Sequence, residues 1–262
     1  MKTFNFNAAL WTEYKKIANS KILWATVILF IFIPCMMGLM IYIVRHPEIS
    51  AKLGLIAAKA SLFGNADWQA FLGIMQQSVA TIGLVGFGFV TAWVFGREYI
   101  ERTIKDILAL PVSRTHIVIA KFVIVIIWCI LLTLILFTVA LFMGMVLRIE
   151  NWSFYMFLTQ TQTYFITAFM TILLCSPVAF FACYGRGLIA PLGFVIITLI
   201  TAQFIALMGL GAYFPWAIPG VYSVAGSAEG MELNNASYII MLLTFIAGFT
   251  ATVYRWRYVD QH

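Results

Sequence analysis

The residues best suited to do chemistry lie in one charged stretch, REYIERTIKDILALPVSRTH, at positions 97–116. This stretch holds seven of the 26 charged residues, 16 basic and 10 acidic, in the chain. Two acid–base pairs, Glu98–Arg102 and Glu101–Lys105, have the i,i+4 spacing that stabilises a helix. An apolar stripe follows the same helical period, and its members are Ile100, Ile104, Ile107 and Leu108. This chemistry is typical of protein docking rather than of catalysis.

A proline limits the length of this helix. Pro111 disfavours helical backbone at the residue before it, so the predicted helix covers about 98–110. A short amphipathic helix docks in a groove of a partner protein. The alternative interpretation is a solvated loop whose charges only orient the chain in a membrane.

The sequence lacks the patterns that bind a nucleotide or a catalytic metal. It contains no G-x-x-x-x-G-K-[ST] loop and no H-E-x-x-H pair, and its three histidines lie far apart. The four cysteines form no C-x-x-C pair and lie in or beside apolar runs, as buried cysteines do. We therefore predict a non-enzymatic chain with no catalytic residue, no metal site and no cofactor of its own.

The composition places the charged stretch in a membrane protein. Hydrophobic residues make up 63% of the 262 residues and charged residues only 10%, against about 25% charged in soluble domains. Runs of more than about 18 apolar residues span a membrane as helices. We predict an all-α integral membrane protein with six transmembrane helices. The predicted spans are 22–44, 71–95, 117–147, 154–182, 188–211 and 237–254. The third is too long for a perpendicular helix and must tilt or extend past the membrane.

Two segments flank these spans. Residues 1–21 form a basic, aromatic-containing amphipathic pattern, which predicts a helix in the membrane interface; the alternative is a basic flank that only sets orientation. The six-helix domain then covers 22–262. Between the fifth and sixth spans, AYFPWAIPGVYSVAGSAEG is broken by prolines and glycines, which predicts a short re-entrant or interfacial segment.

The distribution of lysine and arginine predicts the orientation. With both termini in the cytoplasm, the inner segments carry 12 basic residues and the outer segments four, as the positive-inside rule requires. The inner twelve include Lys121, which we expect to snorkel to that surface. The charge of +6 therefore indicates a membrane and not nucleic acid. We predict a multi-pass protein of a bacterial cytoplasmic (inner) membrane.

The predicted spans contain no acidic residue, which argues against a proton-coupled carrier. A transporter of this kind needs an external energy source, and a cytosolic ATPase is the obvious candidate. The uncommon polar residues of the second and fifth spans should point inward, because a polar side chain in hydrocarbon is costly without a partner. They are Gln76, Gln77, Thr81, Thr198, Thr201 and Gln203. They line a substrate pathway in one interpretation and act as interhelical glue in the other.

The stretch FGREYIERTIKDILALPVSRTHIVIAKF resembles the signature segment of ABC-2-type transporter permeases. The matching residues are Glu98, Thr103, Leu110, Pro111, Val112, Ser113, Arg114 and Lys121. Many members have glycine before the threonine, whereas this chain has Arg102. The layout and size are most similar to the small permeases of bacitracin-type and lantibiotic-resistance exporters.

The resemblance implies the following assembly. Two copies of a separate ABC ATPase, which bind ATP and Mg²⁺, sit below two permease chains, either a homodimer or a similar heterodimer. Residues 1–21 act as an elbow helix, and the second, fifth and first spans face the centre of the dimer. A coupling helix at about 98–110 enters a cleft of the ATPase. The predicted coupling residues are Glu98, Ile100, Glu101, Thr103, Ile104, Asp106, Leu108, Pro111 and Arg114.

The resemblance makes the chain the permease subunit of an ATP-driven exporter for a hydrophobic or amphiphilic substrate, such as a peptide antibiotic, a lipopeptide or a lipid. The alternative is a non-transporting membrane scaffold or sensor that recruits a cytosolic partner through residues 97–116. A neighbouring gene for an ATPase with a phosphate-binding loop would favour the exporter.

Overall fold

The computed structural model describes residues 2–46, 67–104, 113–224 and 233–258. Over these ranges the chain forms helices, and six of them, counted as continuous segments, are long and apolar enough to cross a membrane. The predicted all-α fold with six spans is confirmed. In chain order the helices are α1 (Lys2–Ala18), α2 (Lys21–Arg45), α3 (Trp68–Ser78), α4 (Leu84–Ile100), α5 (Arg114–Val146), α6 (Phe154–Leu173), α7 (Ser176–Tyr184), α8 (Ile189–Leu207), α9 (Ile218–Val224) and α10 (Asn235–Tyr258).

Two of the spans consist of more than one helix. The second span, Trp68–Ile100, joins α3 to α4 through a π-helical turn at Val79–Gly83. The fourth span, Phe154–Tyr184, joins α6 to α7. Pro177 lies in the first turn of α7, where its missing N–H costs no helical hydrogen bond. The first, third, fifth and sixth spans are α2, α5, α8 and α10.

The second and third spans are longer than a membrane requires. Each contains 33 residues, or about 50 Å at 1.5 Å per residue, against a hydrocarbon core of about 30 Å. The second span extends to Ile100 instead of ending at 95, so it includes Glu98. Glu98 therefore lies on the helix of the second span, beyond the predicted apolar segment 71–95.

Close helix packing is made possible by glycines. A Cβ atom at Gly86 would lie 2.4 Å from a ring carbon of Phe30, so the first span lies directly against the second. A Cβ atom at Gly248 would lie 2.4 Å from the backbone nitrogen of Pro177, which brings the sixth span onto the start of α7. Small residues of this kind let helix backbones approach each other in lipid.

The N-terminal helix α1 has two different faces. Glu13 and Ile17 are buried, and Leu10 packs against the hydrophobic core. The aromatic side chains of Trp11 and Tyr14 are 59% and 53% exposed and stack on each other. Exposed stacked aromatics suit a membrane interface, and the location of α1 in that interface stays a prediction.

The segment between the fifth and sixth spans contains a short 3-10 turn at Gly211–Tyr213 and the helix α9. Ile218 of α9 is buried in a cluster with Met170, Leu174 and Met241, so α9 packs against the fourth and sixth spans. Residues 225–232 lie outside the described part of the chain. The depth of this segment in a membrane stays a prediction.

Candidate coupling site and groove

The second span ends in a Schellman motif, a hydrogen-bonded cap at the C-terminus of a helix. The N–H of Thr103 donates to the carbonyl of Glu98 at 3.0 Å, and the N–H of Arg102 donates to the carbonyl of Tyr99 at 3.4 Å. Arg102 has the left-handed backbone that this cap requires, with φ of 57°,. Glycine adopts this backbone without steric cost. Arg102 occupies the place where the resembled signature has glycine, so the cap forms here without it.

Glycine at this position should stabilise the chain. A left-handed residue with a Cβ costs about 1–2 kcal/mol relative to glycine, so Arg102→Gly should raise the free energy of unfolding by about 1 kcal/mol. Equilibrium unfolding in mixed micelles measures the change. Arg102→Val, whose branched side chain disfavours this backbone further, is the matched comparison and should be less stable than the native chain. Equal stability of all three proteins would contradict this account of the cap.

The cap changes the predicted coupling helix. The helix expected at 98–110 is not continuous, because α4 ends at Ile100 and the chain turns at Glu101 and Arg102. The predicted pair Glu98–Arg102 is replaced by ion pairs of Glu98 with Lys16 and Lys121. Glu101 pairs with Arg97, at 2.7 Å.

The predicted coupling residues have different environments. Ile100 is 54% exposed, whereas Ile104 is buried, so the two do not share one open stripe. Glu101 is exposed and Thr103 partly buried. Arg114 begins the third span and donates to the backbone carbonyl of Trp256 at 3.4 Å, which ties it to the end of the sixth span. Asp106, Leu108 and Pro111 lie outside the described residues.

Glu98 belongs to a cluster of four charges, three of them buried and one partly exposed, which we call the Lys121 cluster: Glu13, Lys16, Glu98 and Lys121. The ammonium of Lys121 is fully buried and donates to Glu13 Oε2 at 3.1 Å, to the Val94 carbonyl at 2.9 Å and to Glu98 Oε1. These contacts use all three of its protons. Lys16 Nζ donates to Glu13 Oε1 at 2.6 Å and to Glu98 Oε1 at 3.0 Å.

The Lys121 cluster contains two carboxylates and two ammonium groups, so its formal charges cancel. Burial of a charge is tolerated only when partners and hydrogen bonds replace water. Glu98 Oε2 is the exception, because it is buried with no hydrogen-bond partner among the described residues. The cluster joins three elements: α1, the end of the second span and the start of the third. The two spans that lead into and out of residues 101–113 are thus tied to each other and to α1.

Two members of this cluster, Glu13 and Lys16, are not among the coupling residues predicted from the sequence. Glu13 is the one acid within α1 and lies one helical turn before the buried Ile17, which places it on the buried face. That spacing was the available signal. The expectation that Lys121 snorkels to the surface is wrong, because two carboxylates and a carbonyl hold its ammonium inside the protein.

A groove of about 250 Å³ lies between the second span, the fifth span and α9. Most of its lining is apolar, and Leu199, Ala202, Trp216 and Val221 contribute to it. Three of the predicted pathway residues are in the lining: Gln77, Thr81 and Gln203. The groove therefore combines apolar walls with a few hydrogen-bonding groups.

The other three predicted pathway residues lie elsewhere. Gln76 is buried and donates from Nε2 to the side-chain oxygen of Gln160 at 2.6 Å and to its backbone carbonyl at 2.9 Å, so it joins the second and fourth spans. Thr198 and Thr201 donate to carbonyls of their own helix, those of Phe194 and Ile197, and are not among the groove residues.

Comparison with known proteins now decides the family. A family model described as ABC-2 family transporter protein matches residues 9–203 of the chain. The chain belongs to the ABC-2 transporter family. The match includes all four members of the Lys121 cluster, the Schellman motif and the part of the groove that the second span and residues 199–203 contribute.

This ABC-2 permease is also similar to the bacitracin transport permease protein BCRB of Bacillus licheniformis. The two are 28% identical over 185 residues, which is 70% of this chain and 88% of the relative. The chain is thus a multi-pass membrane permease of an ABC transporter, and its family implies an ABC ATPase as partner. The family also indicates that this chain is a non-catalytic transport subunit.

Proposed function

We propose that this permease exports a hydrophobic or amphiphilic substrate, such as a peptide antibiotic, a lipopeptide or a lipid, out of the cytoplasm or the inner leaflet. The groove supports this proposal most directly, because its apolar walls and its two amides suit a molecule with both kinds of surface,. The name of the bacitracin permease relative supports a peptide antibiotic and a role in antibiotic resistance.

The proposed transporter contains two copies of the ATPase, which hold ATP and Mg²⁺, and a second permease chain, identical or similar. The ATPase docks on the segment between the second and third spans. In this proposal the exposed Ile100 at the end of α4 is one of the residues that the ATPase covers. The Lys121 cluster then transmits the movement of this segment to α1 and to both adjoining spans.

The proposed orientation places both termini in the cytoplasm of a bacterial cell, with the protein in the inner membrane. The excess of basic residues on one side supports it. Ser113 is exposed at the start of the third span, and a cysteine at this position should be labelled only from the cytoplasm. A cysteine at Ser227, beyond the described residues, should be labelled only from outside. The reversed pattern would contradict the orientation and the docking surface together.

The export function is tested by purifying the permease with its partner ABC ATPase and reconstituting both in lipid. Amphiphilic peptides such as bacitracin should raise ATP hydrolysis several-fold, and hydrophilic sugars should not. Cells that express both subunits should also tolerate the stimulating peptide better than cells with a hydrolysis-deficient ATPase. If no amphiphile changes the rate of ATP hydrolysis by the complex, the result would favour a non-transporting scaffold or sensor.

A further inference from the structure

A second cavity, of about 640 Å³, lies where α1 meets the start of the first span and the end of the second. We call it the elbow cavity. Four basic residues and one acidic residue contribute to its lining: Lys15, Lys16, Lys21, Arg97 and Glu101. Two tryptophans, Trp11 and Trp93, line it as well. The formal charge of the lining, four positive and one negative, is +3.

Two of the four cations in the elbow cavity have no carboxylate partner among the described residues. Lys16 is bound to Glu13 and Glu98, and Arg97 is bound to Glu101. The ammonium of Lys15 lies 5.5 Å from the centre of the Trp11 ring, and no described carboxylate lies within ion-pair distance of Lys15 or Lys21. Both lysines are exposed. The cavity therefore has unneutralised positive charge that an anion would complement.

The start of the first span adds to this positive character. Ser20 caps α2 by accepting from the N–H of Ile22 at 3.1 Å, and Ile22 lines the cavity. The N-terminal turn of a 25-residue helix carries a partial positive charge and favours a phosphate group. The two lysines and the N-terminus of α2 thus both contribute positive charge to the elbow cavity.

The elbow cavity also lies at the level where the first span begins and the second span ends. Its walls include the first residue of the first span, Lys21, and Arg97, which is one turn before the end of the second span at Ile100. Below this level the first turns of α2 expose Trp24, Ile28 and Leu29, at 64%, 64% and 45%. An occupant with an anionic head and apolar chains would match both surfaces. Basic pockets at the ends of transmembrane helices bind lipid head groups in this way.

We propose that the elbow cavity binds the phosphate head group of an anionic phospholipid, whose acyl chains run along the exposed side of the first span. Lys15 and Lys21 supply the charge, and Trp11 and Trp93 supply interfacial side walls. The bound lipid fills the angle between α1 and the first two spans. It therefore stabilises the position of α1. The Lys121 cluster stabilises the same helix through contacts inside the protein. This site is independent of the substrate groove and of the direction of transport.

The test measures lipid binding to the full-length permease by native mass spectrometry in detergent. Phosphatidylglycerol and phosphatidylcholine with identical chains are titrated into the native protein and into a Lys15→Gln, Lys21→Gln double variant. We expect the native protein to prefer phosphatidylglycerol, and the double variant to bind it about tenfold more weakly. Binding of phosphatidylcholine should not change. Because both lysines are exposed, the variant should fold, which size-exclusion chromatography checks.

The control removes the same charge elsewhere. Arg148 and Arg257 are exposed and lie outside the elbow cavity, so an Arg148→Gln, Arg257→Gln variant should bind phosphatidylglycerol like the native protein. Unchanged binding in the lysine variant, or an equal loss in the arginine variant, would overturn the proposal. A third arm adds inorganic phosphate at constant ionic strength. Displacement of the lipid by millimolar phosphate would assign the cavity to a soluble anion and would also overturn it.

Discussion

Replacement of Lys121 by methionine should lower the free energy of unfolding of the permease by about 3–5 kcal/mol, the usual cost of removing one partner from a buried ion pair. Methionine keeps a long side chain and adds no polar atom, so the change removes mainly the charge. It leaves the buried carboxylates of Glu13 and Glu98 with Lys16 as their shared cation. It also removes the donor to the Val94 carbonyl. The contact between α1 and the start of the third span should then be lost first.

Equilibrium unfolding in mixed micelles measures this loss, with Arg257→Met as a control because Arg257 is exposed and should change stability by less than about 0.5 kcal/mol. The double variant Glu98→Gln, Lys121→Met restores the charge balance of the Lys121 cluster. It should be more stable than the sum of the two single changes, by about 0.5–3 kcal/mol. A Lys121→Met protein as stable as the Arg257→Met control would show that the cluster contributes nothing to the fold.

The Lys121 cluster also matters for how the permease works. The segment between the second and third spans begins three residues after Glu98 and ends eight residues before Lys121. The Lys121 cluster therefore anchors it at both ends. A force on this segment reaches both spans, and through Glu13 and Lys16 it reaches α1. Arg97 strengthens the same junction, since it donates to the backbone carbonyl of Lys16 at 3.2 Å. The elbow cavity lies beside this junction, so a bound lipid would act on the same three elements.

Some parts of the structure could be predicted because the signal is local. Each span is a long run of apolar residues, and hydrophobicity alone identifies it when the surrounding solvent is lipid. The number of spans and the excessive length of the third follow from that signal. The break after α6 leaves the hydropathy unchanged, so the same signal cannot reveal it. Its structural marker is Pro177, in the first turn of α7.

Other parts could not be predicted, since they depend on contacts between distant residues. The Lys121 contact with Glu13 spans 108 residues, and no periodic pattern within either helix reveals it. The end of α4 at Ile100 could not be predicted from the sequence for another reason. The acid–base spacing and apolar period of residues 98–110 continue across the Schellman motif, while the left-handed backbone of Arg102 has no signal in a sequence without glycine there. For the groove, the polarity of the side chains identified the candidate residues. Which of them line it depends on the rotation of the helix about its axis, which places Gln77 in the groove and Gln76 against Gln160.

Filling the groove should abolish the response to substrate while leaving the fold intact. Gly220 lines the groove, and a Cβ atom built on it meets no other atom within 4 Å. The side chain of a Gly220→Phe variant therefore enters open space instead of overpacking the core. In the reconstituted complex we expect basal ATP hydrolysis to remain and stimulation by amphiphilic peptides to disappear. Gly193→Phe is the matched control, because Gly193 in the fifth span also has no atom within 4 Å of its Cβ position but does not line the groove.

Two adjacent glutamines give a finer test of the same groove. Gln77→Ala removes an amide from the groove lining, so it should change which compounds stimulate ATP hydrolysis and leave thermal stability unchanged. Gln76→Ala should do the opposite. It removes both hydrogen bonds to the partly buried Gln160, at a cost of about 0.5–1.5 kcal/mol, and it does not touch the groove. Stability and the compound profile are measured on both variants. If Gly220→Phe and Gln77→Ala keep the native compound profile, the groove is not the substrate pathway, and its amides serve helix packing as Gln76 does.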